Sequence, residues 1–293
     1  MVQSSYLLLS RRGLSLVTLS MLFSGLLMAQ SYNHFTLHQY NPSYLNPASA
    51  TRNDEVRLAA FHRSQYVGLS SEAIGAQVVS VDAKLPSRPF TTGIHFSHDY
   101  IGLQRSMGFR IDGGWQAVRK DNFLLTTGFG LGFRNLSWDG DQMITPQGVY
   151  AGAIDHQDDV LLNTAFNASG LEWRAGIQLA YKRFSVDFGS INFPKAKRSG
   201  ENNYNVAASS QSWLRMKYQL DVGDQWRLTP QTLILSDGRI FQYSLSVHLT
   251  HDKWLFGLNQ RGLTSTSLEA LGLAVGYTFG KNFQVLYNYE YNL

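Results

Sequence analysis

Apolar and polar residues alternate with period two over most of the chain beyond residue 54. Within residues 123–134 one parity holds Phe123, Leu125, Thr127, Phe129, Leu131 and Phe133, and the other holds Leu124, Thr126, Gly128, Gly130, Gly132 and Arg134. Helical spacing would scatter those glycines over every face, so the segment is predicted as a strand with two unlike faces. The design recurs. Leu171, Trp173, Ala175, Ile177, Leu179 and Tyr181 oppose Glu172, Arg174, Gly176, Gln178, Ala180 and Lys182. Phe241, Tyr243, Leu245, Val247 and Leu249 oppose Gln242, Ser244, Ser246, His248 and Thr250. Phe283, Val285, Tyr287, Tyr289, Tyr291 and Leu293 oppose Gln284, Leu286, Asn288, Glu290 and Asn292. About thirteen strands are predicted, beginning near Val56, Ala73, Phe90, Met107, Phe123, Leu171, Phe184, Ser212, Trp226, Phe241, Trp254, Leu268 and Phe283. Lys120-Asp121-Asn122, Asp237-Gly238, His251-Asp252-Lys253 and Gly280-Lys281-Asn282 supply turn chemistry between them.

Composition decides what these faces meet. A soluble sandwich of this size needs a wet outer face rich in charge. Here the polar parity is often Gly, Ser, Thr or Gln, and charged residues are 16% of the chain, against about 25% in ordinary soluble domains. Within lipid, only helices and closed barrels satisfy every backbone N–H and C=O. Strands of roughly ten residues, apolar on one face and small or polar on the other, are those of an outer-membrane barrel. The predicted fold is therefore all-β, a transmembrane antiparallel β-barrel. Because bacterial single-chain barrels have even strand numbers, about 12–14 strands are expected, any missing one lying in 142–154 or 204–208. Trp138, Trp226 and Trp254 near strand ends suit interfacial girdles. Arg110, Asp112, Arg174, Lys182, Arg215, Lys217 and Asp221 face inward on parity grounds.

The N-terminus reads as a leader. Arg11 and Arg12 precede an almost wholly apolar or small run over 14–29, and Ala29 offers a small exit residue. That order is a secretory signal peptide, too short to span a bilayer as a helix. Ser10-Arg11-Arg12-Gly13-Leu14 also resembles a twin-arginine signal. That route carries folded cargo, which a barrel with an apolar outside is not, so the ordinary route is favoured. Cleavage after Ala29 would remove two cations and take the formal charge from +4 to +2. The division is thus 1–29 signal peptide, 30–53 periplasmic or lumenal segment, and 54–293 barrel, placed in the outer membrane of a Gram-negative cell.

Residues 30–53 do not alternate. Tyr40-Asn41-Pro42-Ser43-Tyr44-Leu45-Asn46-Pro47-Ala48 carries two Asn-Pro steps five residues apart. Each Pro fixes its own φ and pushes the preceding Asn from the helical region. Asn can also close a local side-chain turn. A rigid, kinked peptide is therefore predicted, its backbone held extended by the two prolines; it can plug the lumen, line the periplasmic rim or receive a partner. Tyr40, Asn41, Pro42, Tyr44, Leu45, Asn46 and Pro47 are its candidate contact residues.

Little else carries chemistry. No cysteine is present, which excludes disulfides, thiolate metal sites and cysteine nucleophiles. A mature charge near zero argues against nucleic acid as a partner. The chain has no G-x-S-x-G, no H-E-x-x-H and no phosphate loop. His98-Asp99 and His251-Asp252 are adjacent pairs whose members point to opposite strand faces, so neither makes a dyad alone. His34 and His38 would share a metal only on a helix, which their segment does not predict. The acidic stretch with Asp139, Asp141, Asp155, Asp158 and Asp159 lacks EF-hand spacing and reads as a solvated extracellular loop. No catalytic residue, metal or cofactor is expected, and the partner shared by every barrel reading is outer-membrane lipid.

Three blocks resemble one family. Gln39-Tyr40-Asn41-Pro42-Ser43-Tyr44-Leu45-Asn46-Pro47-Ala48 is similar to its N-terminal pattern of Q-Y, N-P and L-N-P-A. Arg63-Ser64-Gln65-Tyr66-Val67-Gly68 resembles its R-x-Q-W-x-G, with Tyr for Trp, and Asp99-Tyr100-Ile101-Gly102 resembles its D-x-I-G. This is the PorP/SprF family of outer-membrane barrels of the type IX secretion system in Bacteroidetes. The resemblance implies a role in exporting proteins with C-terminal secretion signals, some of them adhesins for gliding or attachment. Its implied partners are those cargo proteins, a periplasmic ring lipoprotein with its companion, and a peptidoglycan-binding adaptor. The alternative is an outer-membrane channel or hydrophobic-solute transporter.

Overall fold

The structure, a computed structural model, describes residues 35–49, 55–65, 74–157, 165–193, 196–198, 205–206, 209–238, 240–262 and 268–293. The signal-peptide reading of 1–29 lies outside these residues, as do His34, Asp158 and Asp159.

The strands are β1 (Val56–Gln65), β2 (Ile74–Lys84), β3 (Phe90–Ile101), β4 (Gln104–Lys120), β5 (Phe123–Trp138), β6 (Phe166–Tyr181), β7 (Phe184–Phe193), β8 (Ala196–Arg198), β9 (Asn205–Val206), β10 (Ser209–Tyr218), β11 (Leu220–Val222), β12 (Trp226–Ser236), β13 (Phe241–His251), β14 (Trp254–Gly262), β15 (Ala270–Phe279) and β16 (Phe283–Asn292). Among the described residues, thirteen form one unbroken antiparallel meander, β1 to β7, then β10, then β12 to β16. β11 carries the line of β10 onward along β12, and β8 with β9 is a small hairpin beyond the meander. Among the described residues, 142–154 carry one end of an isolated bridge, Val149 to Asp155, and no longer ladder, and 205–206 form β9. Pro146, Gly148 and Gly152 break any ladder in the first of these stretches.

The predicted parities hold. In β5, Phe129, Leu131 and Phe133 are exposed, while Thr126 and Gly130 are buried. In β6, Glu172, Arg174, Gln178 and Ala180 are buried, between exposed Leu171, Trp173, Ile177 and Leu179. The outside is apolar and the inside polar, which only a membrane setting makes favourable. No described helix is long and apolar enough to cross a membrane; the strands do so. One rim carries short turns at 121–122, 182–183, 252–253 and 280–282. At the other rim β1 and β2, β5 and β6, and β14 and β15 end further apart along the chain, which assigns that rim to the extracellular side.

Two charges expected to face inward lie exposed at the rim instead. Lys182 sits in the tight β6–β7 turn with φ 50° and is exposed. Asp221 lies exposed near the short-turn rim, where it pairs with Arg183 at 2.6 Å and Arg227 at 3.0 Å. Parity assigns a face but not a height, and both residues fall where the strand is ending.

The sheet curls around residues 35–49. Phe35 packs edge-on against Phe61 of β1, ring centroids 5.9 Å apart, while the next residue, Thr36, donates its hydroxyl to Glu290 of β16. Two consecutive residues thus touch the first and last strands of the meander, so the sheet has wrapped nearly full circle.

Candidate functional site

The residues inside the sheet begin with short turns. His38–Tyr40, Pro42–Leu45 and Pro47–Ser49 each form about one helical turn. The kinks expected at the two Asn-Pro steps are present, but the backbone between them is turned rather than extended, which corrects that part of the prediction. Each Pro takes the first helical position, where its fixed φ is suited and its missing N–H costs nothing. The preceding asparagines stay outside the helix, Asn41 at φ −135° and Asn46 at φ −128°. The Asn46 side chain accepts from Ala48 N at 2.9 Å, closing the local turn, and donates to Asp187 of β7 and to the Ile177 carbonyl of β6, both at 3.2 Å.

Glycines make room for that second turn. Gly114, Gly128 and Gly176 stand side by side on β4, β5 and β6. A Cβ on Gly114 would press on the Pro47 carbonyl, one on Gly128 on the Pro47–Ala48 backbone, and one on Gly176 on the Asn46 amide. Three adjacent strands therefore present a flat floor on which Asn46-Pro47-Ala48 rests.

Above that floor lies a lattice of buried charge. Asp112 on β4 and Arg174 on β6 are both paired in register with Gly130, so they meet across a strand that has no side chain between them. Arg174 binds Asp112 and donates to the Ser43 and Tyr44 carbonyls. Arg110 and Glu172 meet in the same way over Gly132, at 3.1 Å, and Arg110 also lies 4.5 Å from the centre of the Tyr44 ring. His95 adds to Asp112 at 2.7 Å, and Arg134 bridges Glu172 to Asp99. Lower down, Asp187 receives Asn46, Ser49, Gln178 and Arg215. Such charges persist in a low-dielectric interior only because each has partners.

Each predicted contact residue finds a place. Tyr40 stacks on His248 at 5.7 Å and donates to its ring nitrogen at 2.8 Å. Asn41 donates to Ser80 of β2 at 2.9 Å. Pro42 opens the turn that places Ser43 and Tyr44, and Tyr44 packs with Phe35, Ala76 and Val78. Leu45 packs against Ile191, Trp213, Leu233 and Leu235, and Pro47 is buried on the glycine floor. Sequence reasoning missed His38, Gln39, Ser43 and Ser49. His38 is buried, with Nδ1 donating to the Phe35 carbonyl and Nε2 against Gln231 at 2.8 Å. Burial, reinforced by the Arg215 charge, pushes its pKa down to about 3, so it is neutral. The available signal for the lining was charge at matched register positions flanking a glycine, which parity alone does not reveal.

The arrangement fixes a peptide inside the barrel. Of the two adjacent His-Asp pairs, Asp99 pairs with Arg134, and His251 is stacked on Trp226 at 4.0 Å. Among the described residues no three His, Asp or Glu side chains gather as a metal site.

Comparison with known proteins adds the following. The family described as type IX secretion system membrane protein PorP/SprF matches residues 27–293. No curated protein matches the chain. Among solved structures, it is similar to the CymD monoaromatic hydrocarbon channel, at 12% identity and TM-score 0.45 over 90% of each chain. It is also similar to the toluene transporter TbuX of Ralstonia pickettii, at 11% identity and TM-score 0.46, over 85% of this chain and 87% of that one.

Proposed function

The chain belongs to the PorP/SprF family of type IX secretion system membrane proteins, and from that premise we propose that it supports export or surface attachment of proteins bearing C-terminal secretion signals. Its role is non-enzymatic. Its partners would be those cargo proteins and the periplasmic assembly of the same system: the ring lipoprotein, its companion and the peptidoglycan-binding adaptor. The observation that carries the reading is that the family match takes in the Asn-Pro segment together with the whole barrel, residues 27–293. Processing after Ala29 and assembly in the outer membrane belong to the same proposal.

The rival reading is a channel for small or hydrophobic solutes. The buried contacts of residues 35–49 with β2, β6, β7, β12 and β13 weigh against an open lumen. The test is loss of the chain from its own cell. Cargo with C-terminal signals should then collect in the periplasm and vanish from the culture fluid, and restoring the chain should restore it. Unchanged secretion, with the purified barrel swelling liposomes in sugar solution, would favour the channel.

A further inference from the structure

Register rows climb the wall of this sheet as they pass from strand to strand. One row begins at Val56 of β1, passes Phe129 of β5 and Ser190 of β7, and ends at Phe241 of β13. It starts at the short-turn end of β1 and arrives at the long-loop end of β13. Strands tilted by about 40° and spaced about 4.8 Å apart lift a row by about 3 Å per strand, so this one rises roughly 28 Å. The apolar band of an outer-membrane barrel is about 25 Å tall. Val56 and Phe241, both exposed, therefore mark its two margins.

A second row on the same outward face joins His62 of β1, Gln77 of β2 and His98 of β3. The same tilt, with a rise of about 3.3 Å per residue, puts these three about 15, 18 and 21 Å above Val56, inside the band. Further along that row, Asn135 of β5 and Ser169 of β6 have climbed to about 27 and 30 Å, beyond the band, where polar residues are at ease. His62 and Gln77 are exposed and His98 is half-buried. Their polar atoms look into acyl chains, which offer no hydrogen bond. Polar groups held at that depth are costly and mark a functional contact.

The surface below the row is also unlike the rest of the wall. Its outward residues on β1 and β2 are Val56, Leu58, Ala60, Val79, Val81 and Ala83. Among the described residues, these two are the one neighbouring pair of the meander whose outward face carries no Phe, Tyr or Trp. Aromatic girdles belong where a barrel meets the lipid interface, and here no ring holds a second wall away. The chemistry of the row selects the occupant. Imidazole and amide side chains each offer a donor and an acceptor, so the row is complementary to a copy of itself. The outward faces of β1, β2 and β3 carry no Asp, Glu, Lys or Arg, so two copies meet without like-charge repulsion. We propose that this sector is the interface of a dimer of this chain within the membrane. Copies inserted in one orientation are related by a two-fold axis along the membrane normal. Across that axis Gln77 meets its own counterpart, and His62 faces the strand that carries His98. The inference stands on register and depth and does not depend on the export reading.

The test uses the full chain in its native outer membrane, and the absence of native cysteine makes it clean. Gln77→Cys, Leu131→Cys and Leu258→Cys are introduced singly and oxidised. Leu131 and Leu258 are exposed on β5 and β14, away from the proposed interface. The proposal expects Gln77→Cys to give a disulfide-linked dimer of the chain while both controls stay monomeric. A monomeric Gln77→Cys would overturn it. So would equal dimer from all three, which reports random collision, or coupling of Gln77→Cys to a different polypeptide. In parallel, the unaltered chain extracted in a mild detergent should run at twice the mass of the His62→Leu, Gln77→Leu double variant. An unaltered chain at single mass would overturn the dimer, and a double variant that stays dimeric would overturn the role of the polar row. Heat-modifiable mobility confirms that each barrel tested is folded, and the mass of the unaltered chain needs no variant at all.

Discussion

Gly128 lies directly beneath Ala48, so close that a Cβ on the glycine would overlap the Pro47–Ala48 backbone. The absence of one side chain on β5 thus decides whether the Asn46-Pro47-Ala48 turn can lie inside the barrel. Gly128→Val adds a β-branched side chain that suits a strand and should leave barrel assembly intact. The same side chain should displace residues 46–48. The expected outcome is normal heat-modifiable mobility with new protease cleavage in residues 35–49. An inserted barrel whose segment stays protected would mean the floor is not what holds it.

Asp112 and Arg174 meet over Gly130, and Arg174 alone also holds two carbonyls of the segment. Removing one member of a buried pair costs about 3–5 kcal/mol because the other charge is left behind. Arg174→Leu should therefore lower the temperature at which the barrel unfolds on gels by far more than Arg227→Leu at the exposed rim pair. Equal shifts in the two variants would contradict the buried lattice.

Leu131 is exposed on the outer face, opposite Ile111 and Trp173. Leu131→Arg should destabilise insertion by about 2–4 kcal/mol. The control is Gly132→Ser on the lumenal parity, expected to perturb the Arg110–Glu172 contact without blocking insertion. Folding titrations into lipid vesicles give both values.

The barrel was legible in the sequence because period two is imposed by lipid on every strand. Predicted starts at Val56, Phe90, Phe123, Phe184, Trp226, Phe241, Trp254 and Phe283 coincide with observed strands. The lumen was less legible. Asn41 and Asn46 stood out by their prolines, but Asp187, which gathers four side chains of the site, has no local signature. Its partners come from distant strands, and only register brings them together. Asp221 keeps the inward parity through its partner Arg227 but lies exposed at the rim, because parity does not report where a strand leaves the membrane.

Acid should loosen the segment. Docked His38 has its pKa near 3, whereas released it returns to about 6.5. Above 6.5 both states are neutral and the shift contributes nothing. As pH falls from 6.5 towards 3, the released state takes up a proton that the docked state refuses, so docking weakens. Protease access to residues 35–49 should rise over that window, and His38→Gln should flatten the rise. An identical profile in the variant would assign the pH dependence to other groups.

The central claim is that a barrel holding this segment serves protein export. The direct measurement is the amount of C-terminal-signal cargo in culture fluid from cells whose only copy carries Asn41→Ala with Asn46→Ala. These changes remove the contacts to Ser80, Asp187 and the Ile177 carbonyl while leaving both prolines and every strand residue in place. The account predicts a barrel that is inserted, as judged by heat-modifiable mobility and surface protease protection, together with a clear loss of secreted cargo. Full secretion from the inserted double variant would contradict it.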